Sequence, residues 1–285
     1  MLTKREMQIK GVYLFHFNAF AFDSKKTYYY LMYIKNQLTV IKTLTVAELK
    51  SRYRNTFAGL LWVMINPLIL FSVHALIFKH VLKINVEKYY VFLLSGLLPW
   101  IFMSTLLLQS ISIFVTKRES LLSFQIHPIS LIISKSIDSF INFIIPFTLL
   151  FVILFSDNHF NIVGLLYVPL LMIIMFIGTI TTAIILAVLQ VFFRDIEYIL
   201  SFVMNVMFFL TPIFYPRHLI PEKYQIFVDF NPFYAYIRGF KAALWEFSYQ
   251  EINTAILNSL IFVSITSVLS LVFWKRFRNE IYLNI

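Results

Sequence analysis

No cysteine occurs anywhere in the 285 residues, so disulfides, thiolate metal sites and cysteine nucleophiles are excluded. Glycine is scarce as well: Gly11, Gly59, Gly96, Gly164, Gly178 and Gly239 lie far apart in the chain. None belongs to a G-x-x-x-x-G-K-[ST] loop, so the chain offers no such backbone cradle for nucleotide phosphates. Charge is the third scarcity. Only 13% of the residues are Asp, Glu, Lys or Arg, about half of the ~25% usual in a soluble domain. A large water-soluble core needs a polar shell, and too few polar residues remain to build one. The 60% of hydrophobic residues instead suit helices immersed in lipid, where one central Lys, Arg or Asp costs roughly 2.5–3.5 kcal/mol on insertion.

Six apolar segments are long enough to cross a bilayer, near residues 56–78, 89–115, 129–155, 162–191, 196–215 and 252–274. The fourth and fifth are parted only by Phe193-Arg194-Asp195-Ile196-Glu197, whose charges call for a short loop at the interface. Met1 to Lys10 is polar, and the apolar stretch Val12 to Phe22 is about half the ~20 residues a span needs. It lacks a small-residue cleavage site, so residues 1–26 read as an N-terminal extension and not as a signal peptide. In residues 27–55, Leu31, Ile34, Leu38 and Ile41 recur at helical spacing, bordered by Lys35 and Lys42. That pattern predicts an amphipathic helix lying on the membrane surface. Residues 216–250 are apolar but interrupted by Pro216, Pro221 and Pro232, which predicts a partly re-entrant external segment before the last span. The fold class is an all-α integral membrane protein.

Lys and Arg counting orients it. With both termini cytoplasmic, 17 of the 24 basic residues lie inside and 7 outside, against 8 and 6 acidic ones. Nearly the whole net charge of +10 then falls on one face, where it contacts anionic lipid headgroups. This makes nucleic acid a poor candidate partner.

Enzymatic chemistry is not apparent. The six histidines, His16, His74, His80, His127, His159 and His218, form no i, i+4 pair, and no nucleophile–base set or metal cluster stands out. His74, inside the first span, reads as an interhelical hydrogen-bonding group. Lys135 and Asp138, spaced i, i+3 in the third span, read as a local ion pair. No chain of buried acids crosses the membrane, which weakens an ion-driven carrier.

Three segments in order carry a family resemblance. The first is Leu49 to Pro67, with Arg52, Tyr53, Arg54, Gly59, Trp62 and Pro67 at its informative positions. The second joins Phe192-Phe-Arg-Asp-Ile196 to Phe208-Phe-Leu-Thr-Pro-Ile-Phe-Tyr-Pro216, and the third is Asn231-Pro-Phe-Tyr. Together they resemble ABC-2-type permeases that export polysaccharides such as O-antigen, teichoic acid and capsule, with residues 56–285 as the transmembrane domain. The resemblance implies a homodimer of six-helix subunits in the cytoplasmic membrane, docked on two ATP-binding-cassette subunits that bind ATP and magnesium. It implies a lipid-linked glycan as cargo and no catalytic residue or cofactor in this chain. Arg52, Arg54, Lys117, Arg118, Glu119 and His127 are then expected at the ATPase-coupling surface, and Arg194 with Asp195 as an inner-gate latch. Phe57, Trp62, Phe71, Phe208, Phe209, Phe214 and Tyr215 are the candidate channel lining, since sugar rings stack on aromatic faces. An ABC-2 permease for a drug or lipid, a membrane enzyme of glycan assembly and a secondary transporter are the alternatives.

Overall fold

The computed structural model describes residues 24–54, 61–81, 83, 86–124, 126–157 and 160–285; for residues 24–34, 52, 53, 80 and 124 the description extends to the backbone alone. Most of the N-terminal extension and Phe57 lie outside the described residues. The chain divides into two compact units, Met1–Thr39 and Val40–Ile285. Among the described residues of the first, those from Ser24 onward are helical.

Among the described residues there is no strand. The helices in order are α1 (Ser24–Tyr53), α2 (Trp62–Ala75, continued by a π-helical turn over Leu76–Val81), α3 (Tyr89–Ser110), α4 (Ile113–Thr116), α5 (Arg118–Phe124), α6 (Pro128–Ser156), α7 (Ile162–Phe192), α8 (Ile196–Leu210), α9 (Glu222–Asp229), α10 (Pro232–Leu244) and α11 (Tyr249–Asn284). A 3₁₀ turn at Arg217–Leu219 precedes α9. Local sequence sets several starts. Asn161 accepts from the N–H groups of Val163 and Gly164 at the head of α7, and Asn231 caps α10 with Pro232 in its first turn. Ser248 does the same for α11. These side chains satisfy N–H groups that the helix itself leaves without partners.

Among the described residues, five helices are long and apolar enough to cross a membrane: α2 with part of its π turn, α3, α6, α7 and α11. The sixth expected span, 196–215, is realised differently. Its helix, α8, stops at Leu210 after 15 residues, about 22 Å at 1.5 Å per residue, short of a ~30 Å hydrocarbon layer. Pro212 lacks the N–H that would continue the ladder, and it drives Thr211 to extended backbone (φ −84°, ψ 129°). The last span is longer than expected. At 36 residues α11 reaches about 54 Å, so its final turns project past any bilayer.

In the second unit, α3 is the central post. Its side chains from Val91 to Trp100 are all buried, against α6, α7, α10 and α2. By contrast α2 and α8 leave broad apolar faces exposed, including Ile69 and Val73 on α2 and Tyr198, Phe202 and Phe209 on α8. The expected re-entrant segment is a helical return: α9 is mostly exposed, whereas α10 is buried along most of its length among α3, α7 and α11.

Candidate functional site

The helix break after Leu210 leaves carbonyls that cannot stay unpaired in an apolar setting. Side chains from other elements serve them. Lys241 on α10, only 7% exposed, donates from Nζ to Pro212 O at 2.6 Å and to Ile213 O at 3.0 Å. Tyr89, at the head of α3, donates its hydroxyl to Phe214 O at 3.0 Å. Asn231 Nδ2 donates to Thr211 Oγ1 at 2.8 Å. The Lys241 ammonium also lies 3.4 Å from the centre of the Phe92 ring, a cation–π contact. Gly96 makes the room: a Cβ there would fall 2.8 Å from Lys241 Cε. The broken strand of chain is thus built into the protein by α3 and α10.

Around the break the expected channel aromatics separate into groups. Phe214 is fully buried, stacked on His74 (ring centres 4.5 Å apart) and on Phe78 (4.9 Å). Its ring is a packing element of the subunit. Phe208, half-buried, meets Phe214 edge-on and approaches Trp100. Tyr215 is half-buried, its hydroxyl donating to Phe209 O at 2.8 Å. Phe71 is half-buried beside Tyr89 and Tyr90. Trp62 and Phe209 are the exposed members, at 51% and 63%. The His74 Nδ1–H donates within its own helix, to Leu70 O at 2.6 Å, so the interhelical bond expected from sequence is replaced by an intrahelical one and ring stacking.

At the opposite, basic end, Glu48 on α1 bridges two lysines. Its carboxylate lies 3.1 Å from Lys117, between α4 and α5, and 3.2 Å from Lys135 on α6. Thr45, one turn earlier, donates to Ser134 O at 3.4 Å. Burial alone would raise the Glu48 carboxyl, but the charges and hydrogen bonds of Lys135 and Lys117 outweigh it and hold it below the ordinary value. The expected Lys135–Asp138 pair is present at 3.7 Å, so it belongs to a larger network that includes the arm.

Of the expected coupling residues, Arg118 and Glu119 are exposed at the start of α5, and Arg54 is exposed just past α1. The Arg52 side chain lies outside the described residues. Lys117 is engaged by Glu48. His127 is half-buried at the head of α6, 5.3 Å from the Trp274 ring; burial, then the Arg278 charge, lowers its pKa. The end of α11 closes over this corner, with the Tyr282 hydroxyl donating to Ile126 O at 3.4 Å.

Arg194 and Asp195 occupy the turn between α7 and α8, both exposed and forming no ion pair with each other. The clamp at this turn is Gln190, which is buried. Its Nε2 donates to Arg194 O at 3.0 Å and its Oε1 accepts from the Glu197 N–H at 3.1 Å.

Among the described residues no group of His, Cys, Asp and Glu could hold a metal ion. Comparison with known proteins places the arrangement in context. The family model described as ABC-2 type transporter matches residues 39–245. An O-antigen export system permease protein RfbA of Klebsiella pneumoniae is 32% identical over 211 residues, covering 73% of this chain and 80% of that protein. The Myxococcus xanthus protein of the same name is 29% identical over 206 residues (72% and 79%). The polysialic acid transport protein KpsM of Escherichia coli is 24% identical over 204 residues (69% and 77%). With the family model covering most of its length and long apolar helices throughout, this chain belongs to the ABC-2 type transporter family of membrane permeases.

Proposed function

We propose that this chain is the membrane-spanning permease subunit of an ATP-driven exporter that moves a lipid-linked polysaccharide across the cytoplasmic membrane. The observation that carries the reading is the similarity, over about three-quarters of the chain, to relatives named for O-antigen and polysialic acid export. Those names favour a glycan over a drug as cargo. The subunit works as a homodimer with two ATP-binding subunits, which hold ATP and magnesium.

The Lys and Arg asymmetry supports both termini in the cytoplasm. On that orientation the basic end faces the ATPases. Exposed Arg118 and Glu119 on α5 supply a charged contact, and the Glu48 bridge ties the α1 arm to the same corner. A push on α5 is thereby delivered to α6 and to the arm together. The exposed apolar faces of α2 and α8 suit contact with a second copy or with lipid, and exposed Trp62 and Phe209 suit a sliding sugar chain.

Affinity purification of the full chain in mild detergent tests the class. The expected result is co-purification of a nucleotide-binding subunit at equal stoichiometry. Its repeated absence, or transport by the reconstituted chain without ATP, would overturn the reading.

A further inference from the structure

A cleft of about 380 Å³ opens between α2, α3 and α6, a volume within the range of small-molecule sites. It lies near the basic end: Trp62 and Asn66 begin α2, Thr105 and Gln109 end α3, and Ser139 and Asn142 lie one and two turns beyond Lys135 on α6. Its remaining walls are aliphatic, aromatic or proline. Two features set it apart from a gap between helices.

The first is its chemistry. Among the described residues, no charged side chain lines it. The polar groups are three carboxamides, two hydroxyls and the Trp62 indole, which together alternate donors and acceptors. An anionic group such as a phosphate would call for Arg, Lys or a cluster of backbone N–H groups; a neutral polyol calls for amides and hydroxyls beside an aromatic face. Asn142 is held in place, its Nδ2 donating to Asp138 O at 2.7 Å and to Asp138 Oδ1 at 3.3 Å. The buried carboxylate so fixes which way the carboxamide turns.

The second is Ser139. It is 4% exposed, and its hydroxyl has no hydrogen-bond partner among the described residues. Serines in membrane helices ordinarily bond back to their own backbone. Ser134 and Ser136 on the same helix do so, to Leu131 O at 2.9 Å and to Ile132 O at 2.7 Å. A buried unpartnered hydroxyl asks what satisfies it. Ser110 and Ser259 share this state, but of the three only Ser139 lines the cleft, where a turn of its side chain would present the hydroxyl to a ligand.

We propose that this cleft binds a neutral, hydroxyl-rich ring of the pyranose type, reached from the membrane surface at the basic end. The ring comes either from the exported glycan, in which case the site rests on the export reading above, or from the headgroup of a neutral glycolipid.

Trp62 is a built-in reporter. It is one of four tryptophans in the chain, with Trp100, Trp245 and Trp274, and alone among them it lines the cleft. The full chain in phospholipid nanodiscs is titrated with methyl pyranosides and, separately, with inorganic diphosphate. A second set of nanodiscs contains monoglucosyl diacylglycerol. The proposal expects a saturable fluorescence change with the pyranoside or in the glycolipid discs, none with diphosphate, and none in Trp62→Phe. A response to free sugar assigns the ring to the glycan, and a response confined to glycolipid discs assigns it to a headgroup. Loss of one neutral hydrogen bond should weaken binding about threefold to tenfold in Ser139→Ala. That variant removes only an unpartnered hydroxyl and should fold normally; Asn66→Leu should weaken binding at least as much. No saturable response to sugar in either disc, a response to diphosphate in its place, or unchanged affinity in Ser139→Ala would overturn the proposal. No nucleotide or ATPase enters this measurement. A chain that binds sugar but captures no ATPase therefore loses the export reading and keeps the cleft, and the converse result loses the cleft alone.

Discussion

Replacing Lys241 by Met should loosen the helix break at residues 211–215 while leaving the surrounding helices in place. Methionine keeps most of the unbranched stem that packs beside Gly96 and Phe92 and deletes only the ammonium. Lost with it are the bonds to Pro212 O at 2.6 Å and Ile213 O at 3.0 Å. A hydrogen bond contributes about 0.5–1.5 kcal/mol net, and burial without a carboxylate partner offsets the bonus a charged donor would add, so the two together set an expected local loss of roughly 1–3 kcal/mol. Tyr89 and Asn231 still hold Phe214 O and Thr211, which confines the damage to the turn. At about tenfold per 1.4 kcal/mol, that range raises the open fraction of this segment by roughly fivefold to a hundredfold. Because the chain has no cysteine of its own, a single Tyr215→Cys substitution supplies a unique thiol beside the turn. The expected results are faster thiol labelling at position 215 and faster amide exchange over 211–215, with exchange in α7 unchanged. Lys241→Arg should not restore protection, since the guanidinium is too broad for the slot that Gly96 opens. If Lys241→Met keeps wild-type labelling and exchange, the ammonium is not what holds the break, and the account of this site is wrong.

Gly178→Ala should destabilise the fold by about 1–3 kcal/mol through overpacking, because the new Cβ would fall 2.0 Å from Tyr236 Oη. Thermal unfolding in detergent should show partial recovery in the double variant with Tyr236→Phe, as the Tyr236 ring carbon would remain 2.9 Å away; an unchanged deficit would place the strain elsewhere. Glu48→Gln should free the α1 arm by about 1 kcal/mol, seen as roughly fivefold faster amide exchange over residues 44–53. The same contact carries a pH signature. The Glu48 carboxyl is held below its ordinary value of 4.5, so its contribution is fully present above that pH and lost as the pH falls through the folded value. Exchange in the arm should therefore be flat between pH 6 and pH 8, after correction for intrinsic rates, and an increase within that window would contradict the assignment.

The long spans were legible because lipid imposes one rule on every residue of a helix at once. Length and composition suffice to find α3, α6, α7 and α11 within a few residues at most of their ends, the tail of α11 apart. They do not suffice for α8. Thr211 to Pro216 is as apolar as the helix before it, and only Pro212 marks where the ladder fails; whether a proline kinks a helix or ends it depends on what receives the released carbonyls. The burial of Lys241 was hidden for a related reason. A lysine between spans counts as an outer loop charge until packing reveals that it is buried under α3. Glu48 gave no local sign, since its partners lie 69 and 87 residues away, and in sequence it is one more acid in a polar arm. Gln190 could have been found: a lone amide closing an apolar run, seven residues before Glu197, is a group that needs a partner.

The fate of the cations near residues 217–241 has a consequence for whatever leaves the membrane at that end. Arg217 is fastened to Asp229 by two hydrogen bonds, at 2.9 and 2.6 Å, Arg238 is fastened to Glu251, and Lys241 faces inward onto carbonyls. On the proposed orientation these three sit at the exit. A polymer bearing carboxylates or phosphates would therefore meet few bare positive charges from this stretch as it emerges. The exposed Lys223, over the Tyr224 ring, is the exception, and with so little fixed positive charge release would be governed mainly by weak contacts that break as readily as they form.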